Sequence, residues 1–365
     1  MNPLVELHAF GQSFWYDNIR RKFLQDGTLQ SLITNDGLRG MTSNPAIFEK
    51  AIGGSDDYDE QMAQLVASGA STQEIYEKLA IADIQTACDL FAPLYAESNG
   101  GDGYVSLEVS PNLARETEGT IREARSLFAA VGRPNLMIKV PATPQGIPAI
   151  KQLISEGINV NVTLMFSMAH YNAVAQAYID GIAKLVANGG DPSKVASVAS
   201  FFVSRVDAVV DEQLSAKSDP EAASLMGQVA IANSKVVYRR FKELFHGDPF
   251  SALQATGANR QRLLWASTGT KNPNYPSTLY VDELIGPETV NTMPPATIDA
   301  FRESGTVGYT LEANVAEAEQ ALAKLAELGV DLDAVTEKLQ DDGVELFASA
   351  FSVLLNTIEE KKAKF

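Results

Sequence analysis

Short apolar runs rich in Val, Ile, Phe, Tyr and Thr recur along the chain, separated by stretches with helical spacing. The runs are SFWYD (13–17), GLRGMTS (37–43), GYVSLEVS (103–110), NLMIKVPA (135–142), NVNVTLMFS (159–167), VASVASFFVS (195–204), LLWAST (263–268) and ETVNTMP (288–294). Several are nearly continuous in apolar residues, as expected of strands covered on both faces. Between them, PQGIPAIKQLISEGI repeats apolar positions at helical spacing and stops at Gly157, and NLARETEGTIREARSLFAAVGRP ends on a Gly-Arg-Pro stop. Eight strands alternating with helices predict an α/β fold, a single (β/α)8 (TIM) barrel with additional helices in insertions and at the C-terminus. A doubly wound sheet is the alternative, but no G-x-G-x-x-G follows the first strand and no G-x-x-x-x-G-K-[ST] occurs.

One domain over residues 1–365 is expected, with extra helices at about 44–102, 205–262 and 296–365. Near the end, Phe347, Phe351, Leu354, Leu355 and Ile358 share a helical face that should pack on the barrel.

Composition narrows the function classes. Twenty-nine basic against 46 acidic residues give a net charge of -17, which disfavours nucleic acid and anionic membranes as partners. An anionic substrate would need a local basic cluster working against that field. The single cysteine, Cys88, forms no disulfide framework and reads as a small buried hydrophobe. The first residues lack the basic and apolar regions of a secretory signal, and no apolar run approaches a membrane span. A cytoplasmic protein is expected, with a homodimer left open.

Candidate chemistry lies where polar residues interrupt strands at or near their C-terminal ends, since barrel active sites form there. These residues are Asp17, Asn44, Glu108, Lys139, Thr163, Ser200 and Ser267, with Arg205 and Lys271 close behind. Lys139, between Ile138 and Val140, must snorkel, pair with a carboxylate or lose its proton. Burial of an amine among apolar side chains can bring its pKa from about 10.4 toward about 7–8, and a neutral amine attacks a ketone to give a Schiff base. Asp17 and Glu108 fit either capping and ion pairing or the proton shuttling that imine chemistry requires. Asn44 could open a turn before Pro45, and Thr163 could be an ordinary β-former or orient a water. Ser200, Arg205, Ser267 and Lys271 suit a sugar phosphate, although the two cations could equally offset an acidic surface. His8, His170 and His246 lack metal-site spacing, no G-x-S-x-G elbow occurs, and Trp15 and Trp265 read as core aromatics.

Six motifs in order, GMTSNPAIFEKAI, VSLEVSP, LMIKVPAT, INVNVTLMFS, ASFFVSRVD and LLWASTGTKNPNY, resemble the bacterial transaldolases. The resemblance covers Asp17 to about Met293, and the longer C-terminal region resembles a subgroup sometimes fused to a phosphoglucose isomerase. It implies a class I aldolase barrel without metal or organic cofactor. Such an enzyme moves a dihydroxyacetone unit from sedoheptulose 7-phosphate to glyceraldehyde 3-phosphate, giving erythrose 4-phosphate and fructose 6-phosphate. By the same resemblance, Lys139 is the Schiff-base lysine and Asp17 the acid/base at the C4 hydroxyl. Glu108 and Thr163 hold the catalytic water, Asn44 binds the dihydroxyacetone portion, and Ser200 and Arg205 bind phosphate. The pattern departs in one place: some relatives carry an arginine soon after the seventh strand, where this chain has a longer loop offering Lys271. A fructose 6-phosphate aldolase-like enzyme and a non-catalytic sugar-phosphate-binding barrel are the rival readings.

Overall fold

In the computed structural model, which describes residues 2–365, eight parallel strands close into a barrel in chain order. They are β1 (Gln12–Asp17), β2 (Gly40–Thr42), β3 (Tyr104–Glu108), β4 (Leu136–Pro141), β5 (Val160–Met165), β6 (Ser197–Phe202), β7 (Arg262–Ala266) and β8 (Thr289–Met293). Every strand forms within one of the eight apolar runs or within a residue or two of it. β8 pairs with β1 to close the ring, with Phe14 opposite Asn291.

The strands are apolar on both faces because one side packs the barrel interior and the other the surrounding helices. β2 is the shortest, three residues where seven were expected. Its Gly40 lies against the Trp15 indole, so close that a Cβ would stand 2.5 Å from the ring. Only glycine permits that approach. Trp15 and Trp265 are both fully buried, as expected of core aromatics. Cys88 is buried as well, and desolvation pushes its thiol up to about 12.

The expected insertions are helical. Between β2 and β3 run Pro45–Gly53, Asp59–Ala67 and Thr72–Glu97, the last opened by a Ser71/Glu74 capping box. Between β6 and β7 run Ser204–Ser215, Pro220–Leu225, Val229–Phe245 and Asp248–Gln254. After β8 come Pro295–Ser304, Val315–Glu327 and Leu332–Lys362. The last of these starts at Leu332, well before Gly343, with the Asp331 side chain capping its first turn. Phe347, Phe351, Leu354 and Ile358 are buried in the shared core and Leu355 packs against its edge. Among the described residues, no helix is long and apolar enough to cross a membrane.

Candidate active site

Neighbouring strands bring Lys139 and Glu108 side by side. The parallel ladder pairs Glu108 of β3 directly with Lys139 of β4, and Lys139 in turn with Asn161 of β5. Lys139 is 5% exposed; its Nζ donates to the Ser43 carbonyl at 3.2 Å and stands 3.6 Å from Glu108 Oε2. Of the three options open to a lysine in an apolar strand, snorkelling is excluded, because both members of the pair are buried. Burial pushes the Glu108 carboxyl up to about 7, opposed by Lys139 and reinforced by Asp17. Its Oε2 and the hydroxyl of fully buried Thr163 have no hydrogen-bond partner among the described residues. Buried polar atoms are rarely left so, and each of the two, on the strands flanking Lys139, can take a water or a substrate oxygen.

Next to this pair, in a satisfied polar layer, Asn161 joins Ser106 to Ser200. Asn161 Nδ2 donates to Ser106 Oγ at 2.9 Å, and Ser200 Oγ donates to Asn161 Oδ1 at 2.7 Å. Ser200 therefore reaches the cavity with its hydroxyl proton already committed.

Across the barrel, Asp17 ends β1 and accepts a hydrogen bond from Thr42 Oγ1 at 2.7 Å. The Thr42 hydroxyl also lies 2.6 Å from that of Thr292. With one proton to give, Thr42 donates to Asp17 and accepts from Thr292. Desolvation raises the Asp17 carboxyl above its usual range; Lys139, the Thr42 hydrogen bond, Lys271 and Arg205 pull the other way. Asn44 caps the helix Pro45–Gly53, its Oδ1 accepting from Ile47 N at 3.0 Å. The turn-forming and binding readings of Asn44 are thus compatible: the cap uses Oδ1 and leaves the amide Nδ2 as a donor.

The residues at the end of β6 and β7 form a cationic wall. Arg205 sits in the first turn of the helix Ser204–Ser215, its guanidinium 5.3 Å from the centre of the Phe202 ring. Neither Arg205 nor Lys271 has a carboxylate within 4.0 Å among the described residues, so neither is consumed in an ion pair. Ser267 takes a left-handed backbone, φ 56°, and its hydroxyl meets that of Ser204 at 3.0 Å. A helix start bearing an arginine suits a phosphate because the helix dipole favours anions there, although the Ser204 and Val206 N–H groups already donate to Ser267 O at 3.1 Å and Val203 O at 3.0 Å.

Asp17, Asn44, Lys139, Thr163, Ser200, Arg205, Ser267 and Lys271 all line one cavity of about 620 Å³ at the C-terminal end of the barrel. That is the size of an ordinary small-molecule site. Arg20 and Lys50 also face it, giving the local basic cluster that an anionic substrate needs on so acidic a chain. Glu108 does not line this cavity. It stands behind Lys139 and faces a smaller cleft beside Tyr76, Ser110 and Glu123.

The family described as transaldolase/fructose-6-phosphate aldolase matches residues 14–358. The chain belongs to this family. A transaldolase of Trichodesmium erythraeum is 47% identical over 373 residues, covering 100% of this chain and 98% of the relative. One from Thiobacillus denitrificans is 49% identical over 358 residues, covering 98% and 100%. Transaldolase 2 of a Nostoc species is 47% identical over 372 residues, covering 99% and 98%. The likeness extends through the C-terminal helices as well as the barrel motifs.

Within this transaldolase-family barrel, several contributors carried no separate signal in the strand-end pattern. Thr42 and Ser43 precede Asn44 directly, and a search for partners of Asp17 would have found the threonine. Ser106 and Asn161 lie two residues before Glu108 and Thr163, the interval that puts side chains on one face of a strand. Phe347 was expected to pack on the barrel; it also lines the cavity, its ring centre 5.6 Å from Lys139 Nζ.

Proposed function

We propose that this chain is a transaldolase working through a Schiff base on Lys139. It moves a dihydroxyacetone unit from sedoheptulose 7-phosphate to glyceraldehyde 3-phosphate in the pentose phosphate pathway. The observation that carries this reading is the Lys139 amine, buried beside Glu108 in a cavity that Arg205, Lys271 and Lys50 also line.

Glu108, its carboxyl near 7, can take the proton that Lys139 must shed to become a nucleophile. The neutral amine adds to the ketose C2 carbonyl. Glu108, through a water held with Thr163, then returns a proton as the carbinolamine loses hydroxide and becomes an iminium. Asp17 takes the C4 hydroxyl proton, the C3–C4 bond breaks, and its electron pair flows into the iminium to leave an enamine on Lys139. Erythrose 4-phosphate departs. Glyceraldehyde 3-phosphate enters, the steps run in reverse with Asp17 as acid, and water releases fructose 6-phosphate. Asn44 Nδ2 donates to the dihydroxyacetone portion; Arg205, with Lys271, Ser267 and the Ser204–Ser215 helix start, holds the phosphate. Ser200 supports this site from the polar layer, through Asn161, with an oxygen lone pair left for the sugar.

Residues 1–365 are read as one barrel unit, supported by the continuous core shared by barrel and added helices. Residence in the cytoplasm accords with this metabolic role, and light scattering would decide whether the unit is a homodimer.

The experiment follows fructose 6-phosphate with and without erythrose 4-phosphate. Turnover that depends on the acceptor, with little free dihydroxyacetone, supports transfer. Steady release of dihydroxyacetone without acceptor would instead make the chain an aldolase.

A further inference from the structure

The C-terminal helix Leu332–Lys362 crosses the cavity end of the barrel and touches it at three successive turns. Gln340, 5% exposed, directs Nε2 to two carbonyls, Ala142 at 3.1 Å and Leu164 at 2.9 Å. An amide nitrogen has two protons, and both are used. The side chain thus ties the segment leaving β4, the strand of Lys139, to the end of β5, the strand of Thr163.

Leu164 is the unusual residue in this contact. Its φ is 60°, left-handed and uncommon for any side chain but glycine. It lies where β5 slips against β6: Val162 pairs with Ala199 but Met165 with Phe201, so three steps on β5 span two on β6. The extra residue makes a bulge, a device that re-aims side chains next to active sites. The side chain beside it is Thr163, whose buried hydroxyl has no partner among the described residues. Such a backbone conformation persists only where its surroundings over-determine it.

One turn past Gln340, Gly343 lies on the Leu164 side chain, and a Cβ there would come within 2.9 Å of Leu164 Cδ2. A mid-helix glycine weakens a helix, so this close approach gives it a reason. One turn further stands Phe347, against the cavity and Lys139. The far end of the helix is pinned by Lys361, which donates to Ile52 O at 3.0 Å and Ser55 O at 2.6 Å.

We propose that Gln340 and Gly343 are positioning residues: they hold Leu164 left-handed and so aim the Thr163 hydroxyl at the water that serves Glu108 and Lys139. This rests on the reading of those three residues given above. The C-terminal helix is then part of the catalytic apparatus, although Gln340 and Gly343 never touch the sugar.

The test is a double-mutant cycle on the full chain, joining Gln340→Leu to Thr163→Val, with Gly343→Ala as a milder second probe. Gln340→Leu should lower kcat by roughly 10- to 100-fold. KM should change by less than about threefold, since phosphate and dihydroxyacetone contacts remain. In the Thr163→Val background the same change should cost little more, because both act through one hydroxyl. Gly343→Ala should show a smaller loss with the same non-additivity, and keeps the test decisive if Gln340→Leu folds poorly. Additive losses, an unaltered kcat, or a Thr163→Val variant with full activity would overturn the positioning role. Borohydride trapping on Lys139 in the unmutated chain reports the underlying reading separately. Trapping absent there removes both; trapping intact with additive losses removes only the positioning role.

Discussion

Glu108 and Lys139 occupy paired positions on adjacent parallel strands, with Oε2 and Nζ 3.6 Å apart and both side chains buried. This places an acid and an amine together in one desolvated compartment. Burial disfavours charge on the carboxylate, so Glu108 titrates near 7 and not near 4.5. An acid with that pKa is matched to neutral-pH proton transfer.

A pH dependence follows from that value. Carbinolamine dehydration needs Glu108 protonated, and the protonated fraction declines as pH rises through about 7. The rate of iminium formation, followed by rapid-quench borohydride trapping, should therefore fall above that pH. Glu108→Gln should lower the rate by roughly 10²–10⁴-fold and abolish the limb. A limb that survives in Glu108→Gln assigns the titration to another group.

Asp17 acts after the iminium has formed. Asp17→Ala should still give the trapped adduct yet lose roughly 10²–10⁴-fold in kcat, the usual worth of a positioned acid or base. Thr42→Val removes the hydrogen bond to Asp17 and should have a smaller effect of the same kind. Full turnover in Asp17→Ala would take Asp17 out of the mechanism.

Arg205 and Lys271 should differ in weight. Arg205 is half-buried, stacked on Phe202 and unpaired among the described residues, whereas Lys271 is exposed on its loop. Arg205→Ala should weaken phosphorylated substrates by about 1.5–3 kcal/mol, roughly 10- to 150-fold in kcat/KM. Lys271→Ala should cost only a few-fold, and its effect should shrink in salt, as expected of a solvated point charge. Equal losses on dihydroxyacetone, which has no phosphate, would contradict the assignment for either residue.

Asp207 offers a stability prediction away from the chemistry. Its carboxylate accepts from Ala230 N at 2.7 Å and Tyr280 Oη at 2.9 Å, and burial pushes it up to about 7. A folded-state pKa above the unfolded one means that the folded chain holds the proton more tightly. The associated stability is complete below about pH 3.8 and is lost as pH rises to about 7. Relative to the unmutated chain, Asp207→Asn should gain stability across that window, by at most about 1.4 kcal/mol per pH unit in denaturant titrations. A difference independent of pH would show that Asp207 keeps an ordinary carboxyl.

The barrel was legible because its strands are covered on both faces, and eight apolar runs between helical stretches admit few other closures. The polar residues at strand ends were legible for the converse reason: a buried polar group on such a strand needs a purpose. Glu108 was less so, because its place behind Lys139 depends on the stagger between β3 and β4, which no local pattern encodes. Phe347 was legible as an apolar position on a helix but not as a wall of the cavity, since its docking is settled by tertiary packing. Leu164 had no signature at all. A left-handed leucine is chosen by the bulge and by Gln340, 176 residues away in sequence.

The central claim is that the Lys139 amine holds the sugar covalently. Fructose 6-phosphate, borohydride and mass mapping of the resulting peptides test it most directly. The account predicts one three-carbon adduct when no acceptor is present, carried by the peptide containing Lys139 and absent from Lys139→Ala. No adduct, or one that persists in Lys139→Ala on Lys271 or Lys50, would contradict it.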